Sequence, residues 1–388
     1  MNILFLVYHG FSEISGITKK IKAQIEGLRE NGHTVYVCTY SIIENGHRCR
    51  MIDNEVLQDF GTGRLAAIRK RISYKAIYTF CVEKKIKVVY CRSFHNANPW
   101  TIHLFRRLKK SGIKAVMEIP TYPYDQEYVG FPLFTRLELQ VDKLFRRQLA
   151  SQLQRIVTFS SDKEIFGQKT ICISNGISFE RIPIRQEHRV KEEELTNKFP
   201  KTINLVGVAE VHYWHGFDRV IAGIGEYYKN GGKLDIQFHI IGGVGPSEMY
   251  NSQHAPGFQE LIDKYGITSH IQFHGAMYGD ELDSYFDMAD FAIGSLARHR
   301  SGITDIKTLK NREYAARGIP FIYSEHDEDF EDKPYILKAS ADETPVDILS
   351  IIDFINNNTF AADEIRASIK ELSWKYQMKR VIDSIYPR

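Results

Sequence analysis

The sequence predicts an α/β protein with two Rossmann-like βαβ domains in tandem, and three observations support this. Short apolar runs of strand length alternate with amphipathic helical stretches along most of the chain. This alternation pauses once, in a polar and aperiodic segment at residues 184–200, which we interpret as a linker. A chain of 388 residues is also too long for one compact core. We therefore expect one domain at residues 1–185 and a second at residues 186–371.

The first half begins with a strand, a loop, a helix and a second strand, which together start a parallel sheet. The loop is rich in small residues and ends at Gly16, and the helix stops at the turn Asn31-Gly32-His33. The predicted strands are residues 3–8, 34–40, 88–91, 115–119, 155–160 and 171–173, and the predicted helices are residues 17–30 and 100–110.

The alternation restarts after the linker. The predicted strands are residues 203–208, 236–241, 271–273, 291–293 and 321–323, and the predicted helices are residues 217–228, a short helix ending at Gly318 and a closing segment at residues 362–385. Ligands of open α/β sheets bind beyond the carboxyl ends of the strands. We therefore expect the functional site at those ends, in a cleft between the two domains.

Composition excludes several classes of protein. Hydrophobic residues make up 43% of the chain and charged residues 26%, as in a globular protein. No apolar run approaches the roughly 18 residues that span a bilayer, and the amino-terminal run lacks the basic flank of a signal peptide. Five cysteines without CxxC spacing indicate reduced thiols. We expect a cytoplasmic protein, soluble or peripheral at the inner face of the cell membrane.

Charge is distributed unevenly along the chain. Residues 1–185 hold 29 basic and 16 acidic residues, a balance of 29 − 16 = +13, and the remainder holds 22 and 32, a balance of −10. Three basic helical stretches with apolar faces (residues 64–87, 105–110 and 144–147) suit an anionic membrane surface and a lipid-linked acceptor. Solvated helix faces are the alternative. No aromatic-basic platform is present, so we expect no nucleic-acid partner.

Two glycine-rich turns follow predicted strands. One ends at Gly16, and the other begins at Gly242 and continues to Gly245. Each could present backbone N–H groups to a phosphate at a helix N-terminus. Neither matches a dinucleotide fingerprint or is followed by a Walker lysine, and an ordinary tight turn is the alternative.

The block from Asp305 to Pro320 is the most specific part of the sequence. A helix ending at Gly318 before Pro320 is ordinary helix-stop chemistry, and Lys310 and Glu313 could be an i, i+3 pair on a solvated face. The whole block, however, resembles the donor-binding motif of retaining GT-B glycosyltransferases of the family 4, "glycosyl transferases group 1" type. That motif has an acidic residue, seven residues, a glutamate, an alanine-containing helix and G-x-P.

The resemblance implies a role for each residue of the block. Glu313 matches the glutamate that holds the nucleotide ribose, and Asp305 stands where the family usually has a glutamate touching the sugar. Lys310 matches the lysine of a K-x-x-E-Y variant found in surface-polysaccharide assembly, where it lies near the diphosphate. Leu309 belongs to the same donor-binding set. A carboxylate suits two ribose hydroxyls, and a cation suits a departing diphosphate.

Residues 206–221 resemble the opening of the family's donor domain, where an arginine and a lysine usually contact the diphosphate. Here Val208 and His215 replace them, and His215 is followed by Gly216. We expect Lys310 and Arg219 to carry more of the phosphate contact, with His215 only partly charged or simply a neutral helix-start residue.

Other segments resemble the family in the same order along the chain. The backbone after the strand at residues 271–277, at Met277, corresponds to the part that reads the base. Gly16 falls in the first glycine loop, and residues 173–177 match the turn that closes the first domain. The resemblance implies the GT-B fold, with a closing helix at about residues 372–388 returning to the first domain.

The segment at residues 115–127 suggests where an acceptor binds. It leaves a buried strand and enters a loop rich in proline, tyrosine and acid, and tyrosines and carboxylates suit sugars. We assign Thr121, Tyr122 and Asp125 to acceptor binding. Many relatives have a histidine near here, and Glu118, Thr121 or Asp125 could take its place. Of these we assign Glu118 as a catalytic residue beside Lys310 and Asp305. A rigid structural loop is the alternative.

The sequence Asp327-Glu328-Asp329 contains the D-x-D pattern of metal-dependent glycosyltransferases of another fold. We interpret it as a solvated loop, and no cluster has zinc spacing, so we expect no metal and no cofactor.

Together these features predict a metal-independent, retaining hexosyltransferase. Its nucleotide-sugar donor, expected to be a UDP-sugar, is a co-substrate, and its acceptor is a saccharide. A UDP-sugar 2-epimerase on the same fold and a non-catalytic sugar-nucleotide scaffold are the rival interpretations.

Overall fold

The computed structural model describes residues 1–12, 16–93, 95, 97–125, 133–186, 202–250 and 255–386. The chain divides into two compact units, one of Met1–Gly176 with Ser373–Arg388 and one of Ile177–Leu372. The boundaries that we predicted were after residues 185 and 371. Most of the predicted linker, from residue 187 to 200, lies outside the described residues.

The first unit contains a sheet of nine described strands. They are β1 Asn2–Leu6, β2 Thr34–Ile42, β3 Arg48–Ile52, β4 Glu55–Asp59, β5 Val88–Arg92, β6 Lys114–Ile119, β7 Arg155–Thr158, β8 Glu164–Ile165 and β9 Gln168–Cys172. Their order across the sheet is β4-β3-β2-β1-β5-β6-β7-β9-β8. The six central strands, β2, β1, β5, β6, β7 and β9, pair in parallel. Strands β3 and β4 at one edge of the sheet and β8 at the other pair antiparallel with their neighbours.

The helices described in this unit before the linker are α1 Gly16–Glu30, α2 Gly63–Ile72, α3 Lys75–Glu83, α4 Pro99–Lys110 and α5 Leu133–Ala150. The start of α4 shows why the sequence forms a helix there. The Asn98 side chain accepts hydrogen bonds from the N–H groups of Trp100 and Thr101, and Pro99 occupies the first turn, where no N–H is needed.

The prediction of one basic helix at residues 64–87 was wrong, because the structure has two helices there, α2 and α3, with a break at Ser73. The buried Arg50 donates to the carbonyls of Ser73 (2.6 Å) and Lys70 (3.1 Å) and so satisfies the end of α2. Arg50 belongs to β3, half of a hairpin that we did not predict because its strands are rich in polar residues.

The second unit contains a sheet of six described strands, all paired in parallel. They are β10 Thr202–Val208, β11 Asp235–Ile241, β12 Ile271–Gly275, β13 Phe291–Ile293, β14 Phe321–Tyr323 and β15 Ile336–Lys338, in the order β12-β11-β10-β13-β14-β15. The helices are α6 Phe217–Lys229, α7 Pro246–Tyr250, α8 Phe258–Tyr265, α9 Asp280–Met288, α10 Leu309–Arg317, α11 Ile348–Asn357 and α12 Ala362–Ala367.

The predicted closing helical segment is three elements: α12, a short 3-10 turn at Lys370–Leu372, and α13 at Trp374–Ile385. Helix α13 belongs to the first unit, where Met378, Val381 and Ile382 join a buried cluster with residues of α1. The crossing is close at Gly27, where a Cβ atom would lie 2.6 Å from the Trp374 carbonyl carbon. No helix among the described residues is long and apolar enough to cross a membrane.

Candidate functional site

The strand order of the second unit fixes where a ligand can approach it. From β10 the chain adds β11 and β12 on one side, then returns to add β13, β14 and β15 on the other. The neighbouring strands β10 and β13 therefore form a topological switch point, and ligands of open α/β sheets bind in the crevice beyond the carboxyl ends at such a point. Two loops border it, at residues 209–216 and 294–308.

Helix α10 is anchored at this switch point by Tyr314. The buried Tyr314 hydroxyl accepts a hydrogen bond from the Val208 N–H (3.1 Å) and donates one to the Ile293 carbonyl (3.0 Å). Because Val208 ends β10 and Ile293 ends β13, this one side chain ties α10 to both strands. The anchoring explains why residues of α10 lie at the carboxyl ends of these two strands.

Gly216 allows the two loops to meet. Its φ is +69°, and a Cβ atom there would lie 2.8 Å from Cβ of Leu296, so a larger residue would meet both strain and a clash. The Leu296 N–H also donates to the His215 carbonyl (3.0 Å). The loop after β13 is thus fastened to the start of α6.

His215 is neutral rather than partly charged. Burial, with smaller contributions from Lys310 and Arg298, lowers its pKa to about 2. Its Nδ1 accepts from the His212 N–H (2.9 Å), so the ring proton is on Nε2, which is a hydrogen-bond donor. His215 therefore matches the neutral alternative and contributes a donor instead of a charge.

Lys310, in the first turn of α10, carries a buried amine that lacks a hydrogen-bond partner in the described part of the chain. Its Nζ lies 5.3 Å from the centre of the Phe217 ring. Burial and the nearby Arg298 lower the pKa of Lys310 to about 7. An unsatisfied cation at a sheet edge is suited to an anionic ligand.

Arg298, which sequence reasoning missed, lies in the 3-10 turn Arg298–Ser301 after β13. Its guanidinium carbon is 5.5 Å from the Trp214 ring centre, and its buried Nε finds no partner among the residues described. Arg300, two residues later, instead forms two hydrogen bonds with Asp218 (2.9 and 2.7 Å). The sequence around them does not distinguish the two arginines, since their partners are distant along the chain.

Arg219 does not fit the phosphate-contacting role that we assigned. Its guanidinium is 2% exposed and donates to the carbonyls of Thr344 (2.7 Å), Ser340 (3.0 Å) and Leu296. These bonds fasten the loop at residues 340–344 to the loop after β13. We therefore reassign Arg219 to positioning that loop.

One of the two carboxylate oxygens of Glu313 accepts hydrogen bonds from the protein. Oε1 accepts from Nη2 (3.0 Å) and Nε (3.2 Å) of Arg317, which also pairs with Asp283 (2.8 Å). Within the described ranges no group donates to Oε2. One oxygen thus orients the side chain, and the other is available to a ligand. Leu309, at the start of the same helix, is 54% exposed.

Asp305 lies apart from this arrangement of α10. Its side chain is 77% exposed and accepts from the exposed His326 (2.9 Å) and from Thr304 (3.0 Å). The structure thus does not bring Asp305 into contact with Lys310 or Glu313.

The reading of Asp327-Glu328-Asp329 as a solvated loop was wrong at Asp327, which has no exposed surface. It pairs with the equally buried Arg312 (3.1 Å), which also donates to the Thr308 carbonyl (2.9 Å) at the start of α10. The acidic segment is therefore an anchor for the helix that carries Lys310. In the described ranges, no group of three or more metal-ligating side chains is placed to hold a metal ion.

Gly242 and Met277 lie beyond the ends of β11 and β12. Gly242 has φ of +124°, donates its N–H to the Gly275 carbonyl (2.7 Å), and leaves a Cβ atom no room beside the Ala209 carbonyl. Met277, like Val208, is partly buried against the apolar cluster that includes Val206 and Tyr314.

The first unit holds the remaining predicted residues. Gly16 begins α1, just after residues 13–15, which lie outside the described residues. Thr121 is exposed, the Tyr122 ring packs edge-on against Phe166 (5.6 Å), and Asp125 pairs with Arg146 (2.8 Å). The structure does not describe the continuation of this loop at residues 126–132.

Glu118 cannot contact an acceptor as we expected, because it has no exposed surface. Its carboxylate accepts hydrogen bonds from Tyr90 (2.5 Å), Arg92 (2.5 Å) and Gln24 (2.6 Å). A buried, fully engaged carboxylate orients its neighbours, so we reassign Glu118 from catalysis to positioning Arg92.

Similarity to known proteins is structural. A glycosyltransferase from Rickettsia africae aligns with a TM-score of 0.59 at 12% identity, over 100% of this chain and 99% of that one. A trehalose-6-phosphate structure from E. coli bound with UDP-2-fluoro glucose aligns with a TM-score of 0.54 at 11% identity (100% and 99%). WaaG, a glycosyltransferase involved in lipopolysaccharide biosynthesis, gives 0.52 at 11% identity over all of both chains.

Neither a protein-family model nor a curated protein sequence matches the chain. At these identities the structural likeness shows the fold alone. It confirms the predicted GT-B fold, whereas membership of family 4 stays a prediction.

Proposed function

We propose that this protein is a glycosyltransferase that takes a hexosyl group from a nucleoside-diphosphate sugar, of which a UDP-sugar is our first choice. The unpaired, buried amine of Lys310 at the β10–β13 switch point carries this proposal. Burying a cation without a partner costs free energy in the empty protein, so a site that does so is suited to an anion. The GT-B fold supports the choice of a nucleotide sugar as that anion.

The chemistry follows from the groups around Lys310. When the glycosidic bond to phosphate breaks, negative charge accumulates on the leaving nucleoside diphosphate. The Lys310 ammonium, the Nε2–H of His215 and the N–H groups at the start of α6 stabilise that charge. This donor set offsets part of the negative charge of the leaving group from the protein side, and on that ground we propose a metal-independent reaction.

Glu313 holds the ribose in this proposal. Its Oε2 is open while Arg317 fixes Oε1, so the carboxylate is oriented before the donor arrives. A charged acceptor for hydroxyl protons gives strong hydrogen bonds. The distance along α10 from Lys310 to Glu313 is one helical turn, which suits adjacent parts of one nucleotide.

We propose transfer with retention of anomeric configuration to a saccharide acceptor bound by the first unit, near Thr121 and Tyr122. The donor phosphate itself helps to deprotonate the incoming hydroxyl on the same face of the sugar. No protein nucleophile is then required, and none is assigned.

A lipid-linked acceptor, and with it a role in surface-polysaccharide assembly at the inner membrane face, is supported by helix α5. Leu137, Val141 and Leu144 follow one another at i, i+4 and i+7 and are 54%, 43% and 73% exposed. Basic residues of the same helix, among them Arg136 and Arg147, are exposed beside them. An exposed apolar stripe with basic neighbours suits an anionic bilayer surface.

The membrane proposal is tested by co-sedimentation with vesicles. We expect binding to phosphatidylglycerol vesicles, weaker binding to phosphatidylcholine vesicles, and loss of binding in the Leu144→Ser variant. Equal sedimentation of Leu144→Ser and the unaltered protein with anionic vesicles would contradict it.

The proposed transferase activity is tested by screening nucleotide sugars for thermal stabilisation and then measuring donor turnover. Slow release of nucleoside diphosphate from a stabilising donor supports transfer chemistry. Inversion at C2 of the donor sugar would instead identify an epimerase, and binding without turnover would identify a scaffold.

A further inference from the structure

The basic side chains around the switch point of the second unit differ in whether they are already engaged. Arg219, Arg300, Arg312 and Arg317 all hydrogen-bond to carbonyls or carboxylates. In the described part of this unit, Lys310 has no hydrogen-bond or ion-pair partner, and neither does the Nε of Arg298. Both groups lie over rings of the segment at residues 214–217: the Arg298 guanidinium carbon is 5.5 Å from the Trp214 ring centre, and Lys310 Nζ is 5.3 Å from the Phe217 ring centre.

The backbone that carries Arg298 is firmly held on both sides. Before it, the Leu296 N–H is bonded to the His215 carbonyl, and after it the His299 N–H donates to the buried Glu325 carboxylate (3.0 Å). Arg300 then locks the turn to Asp218 at the start of α6. The loop is thus well anchored, and it presents a guanidinium whose Nε makes no hydrogen bond within the described residues and whose charged form the Glu325 carboxylate favours.

We infer that Arg298 binds the diphosphate of the donor together with Lys310, from the β13 side of the crevice. The inference rests on the proposed nucleotide-sugar site and names a residue that the sequence pattern does not reveal. At the end of β10, Val208 contributes no charge. Arg298 reaches the same crevice from the neighbouring strand and thereby supplies a second cation.

The chemistry of Arg298 suits this role. A guanidinium forms two parallel hydrogen bonds with phosphate oxygens, and its planar face stacks on an aromatic ring. Trp214 provides such a ring at 5.5 Å, which orients the guanidinium without using its N–H groups. Two neighbouring cations repel one another in the empty site, and a diphosphate removes that repulsion when it binds.

The experiment is calorimetric titration with inorganic pyrophosphate and, separately, with UDP. The proteins are the unaltered chain, Arg298→Gln, Arg298→Lys and a control, Lys264→Gln. Lys264 is exposed near the end of α8, the helix that precedes β12. It therefore lies near the amino ends of the strands, opposite the carboxyl ends where the crevice is. The control loses the same charge away from the crevice. Thermal unfolding of each variant checks that it is folded.

We expect Arg298→Gln to weaken pyrophosphate and UDP binding by about ten- to a hundredfold, Arg298→Lys by less, and Lys264→Gln not at all. A second readout is pH. Without Arg298 beside it, Lys310 should stay protonated to higher pH. The pH at which pyrophosphate affinity begins to fall should therefore be higher in Arg298→Gln than in the unaltered protein. The shift tests whether Arg298 lies beside Lys310, and partial retention of affinity in Arg298→Lys, which keeps the charge, is the result that a merely structural role would not give.

Two results overturn the inference, and they can be distinguished. If Arg298→Gln binds both ligands as the unaltered protein does, the Arg298 assignment fails while the nucleotide site stands. If the unaltered protein binds neither pyrophosphate nor any nucleoside diphosphate, the proposed function fails with it.

Discussion

Arg312 and Asp327 form an ion pair in which neither side chain has any exposed surface. Removing one partner leaves the other charge buried and uncompensated, which costs about 3–5 kcal/mol. We therefore expect Asp327→Ala to lower the free energy of unfolding by this amount, measured by urea denaturation. Glu328→Ala is the control, since its side chain is 68% exposed, and it should change stability by less than about 0.5 kcal/mol. Similar losses for the two variants would show that the pair is not the anchor of α10 that we describe.

Substitutions of Glu313 and Asp305 should have different effects on ligand binding. We expect Glu313→Ala to weaken UDP binding by about ten- to a hundredfold while leaving pyrophosphate binding nearly unchanged, because the lost contact is to the ribose. Asp305→Ala should leave UDP binding almost as it is, given its exposed position beside His326. Titration calorimetry with both ligands measures this. A larger loss from Asp305→Ala than from Glu313→Ala would reverse our assignment.

Lys310 should make donor binding depend on pH. Its pKa of about 7 in the empty protein is lowered by burial and by Arg298, and a bound diphosphate favours the charged form. Affinity for UDP should therefore be highest below pH 7 and fall by up to about tenfold per pH unit above it, with proton uptake on binding. Calorimetry in buffers of different ionisation enthalpy detects that uptake. A flat profile between pH 7 and 9 would rule out Lys310 as the titrating ligand.

Lys310 should also destabilise the empty protein. Because its folded pKa lies below the ordinary value of 10.5, the folded state binds fewer protons, and stability from this group is lost as the pH falls from about 10.5 towards 7. We expect Lys310→Met to raise the free energy of unfolding at pH 7 by about 1–3 kcal/mol while lowering turnover more than donor affinity. A less stable and fully active variant would contradict both roles.

Gly216 and Gly266 are a matched pair for testing how the two loops meet. Both have positive φ, +69° and +64°, but a Cβ atom meets Leu296 at 2.8 Å in the first case and nothing within 4 Å in the second. Gly266→Ala should cost about 1–2 kcal/mol for its backbone conformation alone. Gly216→Ala should cost more and also weaken UDP binding. Equal costs, with binding intact, would show that the contact with the loop after β13 is not essential.

The sequence predicted those parts of the site that are contiguous in the chain. Lys310 and Glu313 lie within one short helix, so their spacing alone indicates a shared surface. Arg298 was not predictable in this way, because its neighbours Trp214 and Glu325 are brought to it only by the order of the strands.

The errors have the same physical origin. Asp327 belongs to an acidic stretch that resembles a solvated loop, and Arg219 occupies a position that resembles a phosphate ligand. Each is buried by a partner that is distant in the sequence: Arg312 for Asp327, and the carbonyls of Thr344 and Ser340 for Arg219. Local pattern indicates which side chains are charged, whereas only the tertiary fold determines which of those charges remain open to a ligand.

Helix α13 completes the first unit although it is made after the whole of the second. During synthesis on a ribosome, Trp374 is not yet present to fill the space beside Gly27 and Gly176. The apolar cluster that Met378, Val381 and Ile382 of α13 join therefore stays incomplete while residues 177–372 emerge. The second unit is continuous in the chain and can fold first, so the usual amino-to-carboxyl order of domain folding is reversed at its last step. Until α13 is made, the first unit therefore lacks part of the apolar packing that the complete protein has.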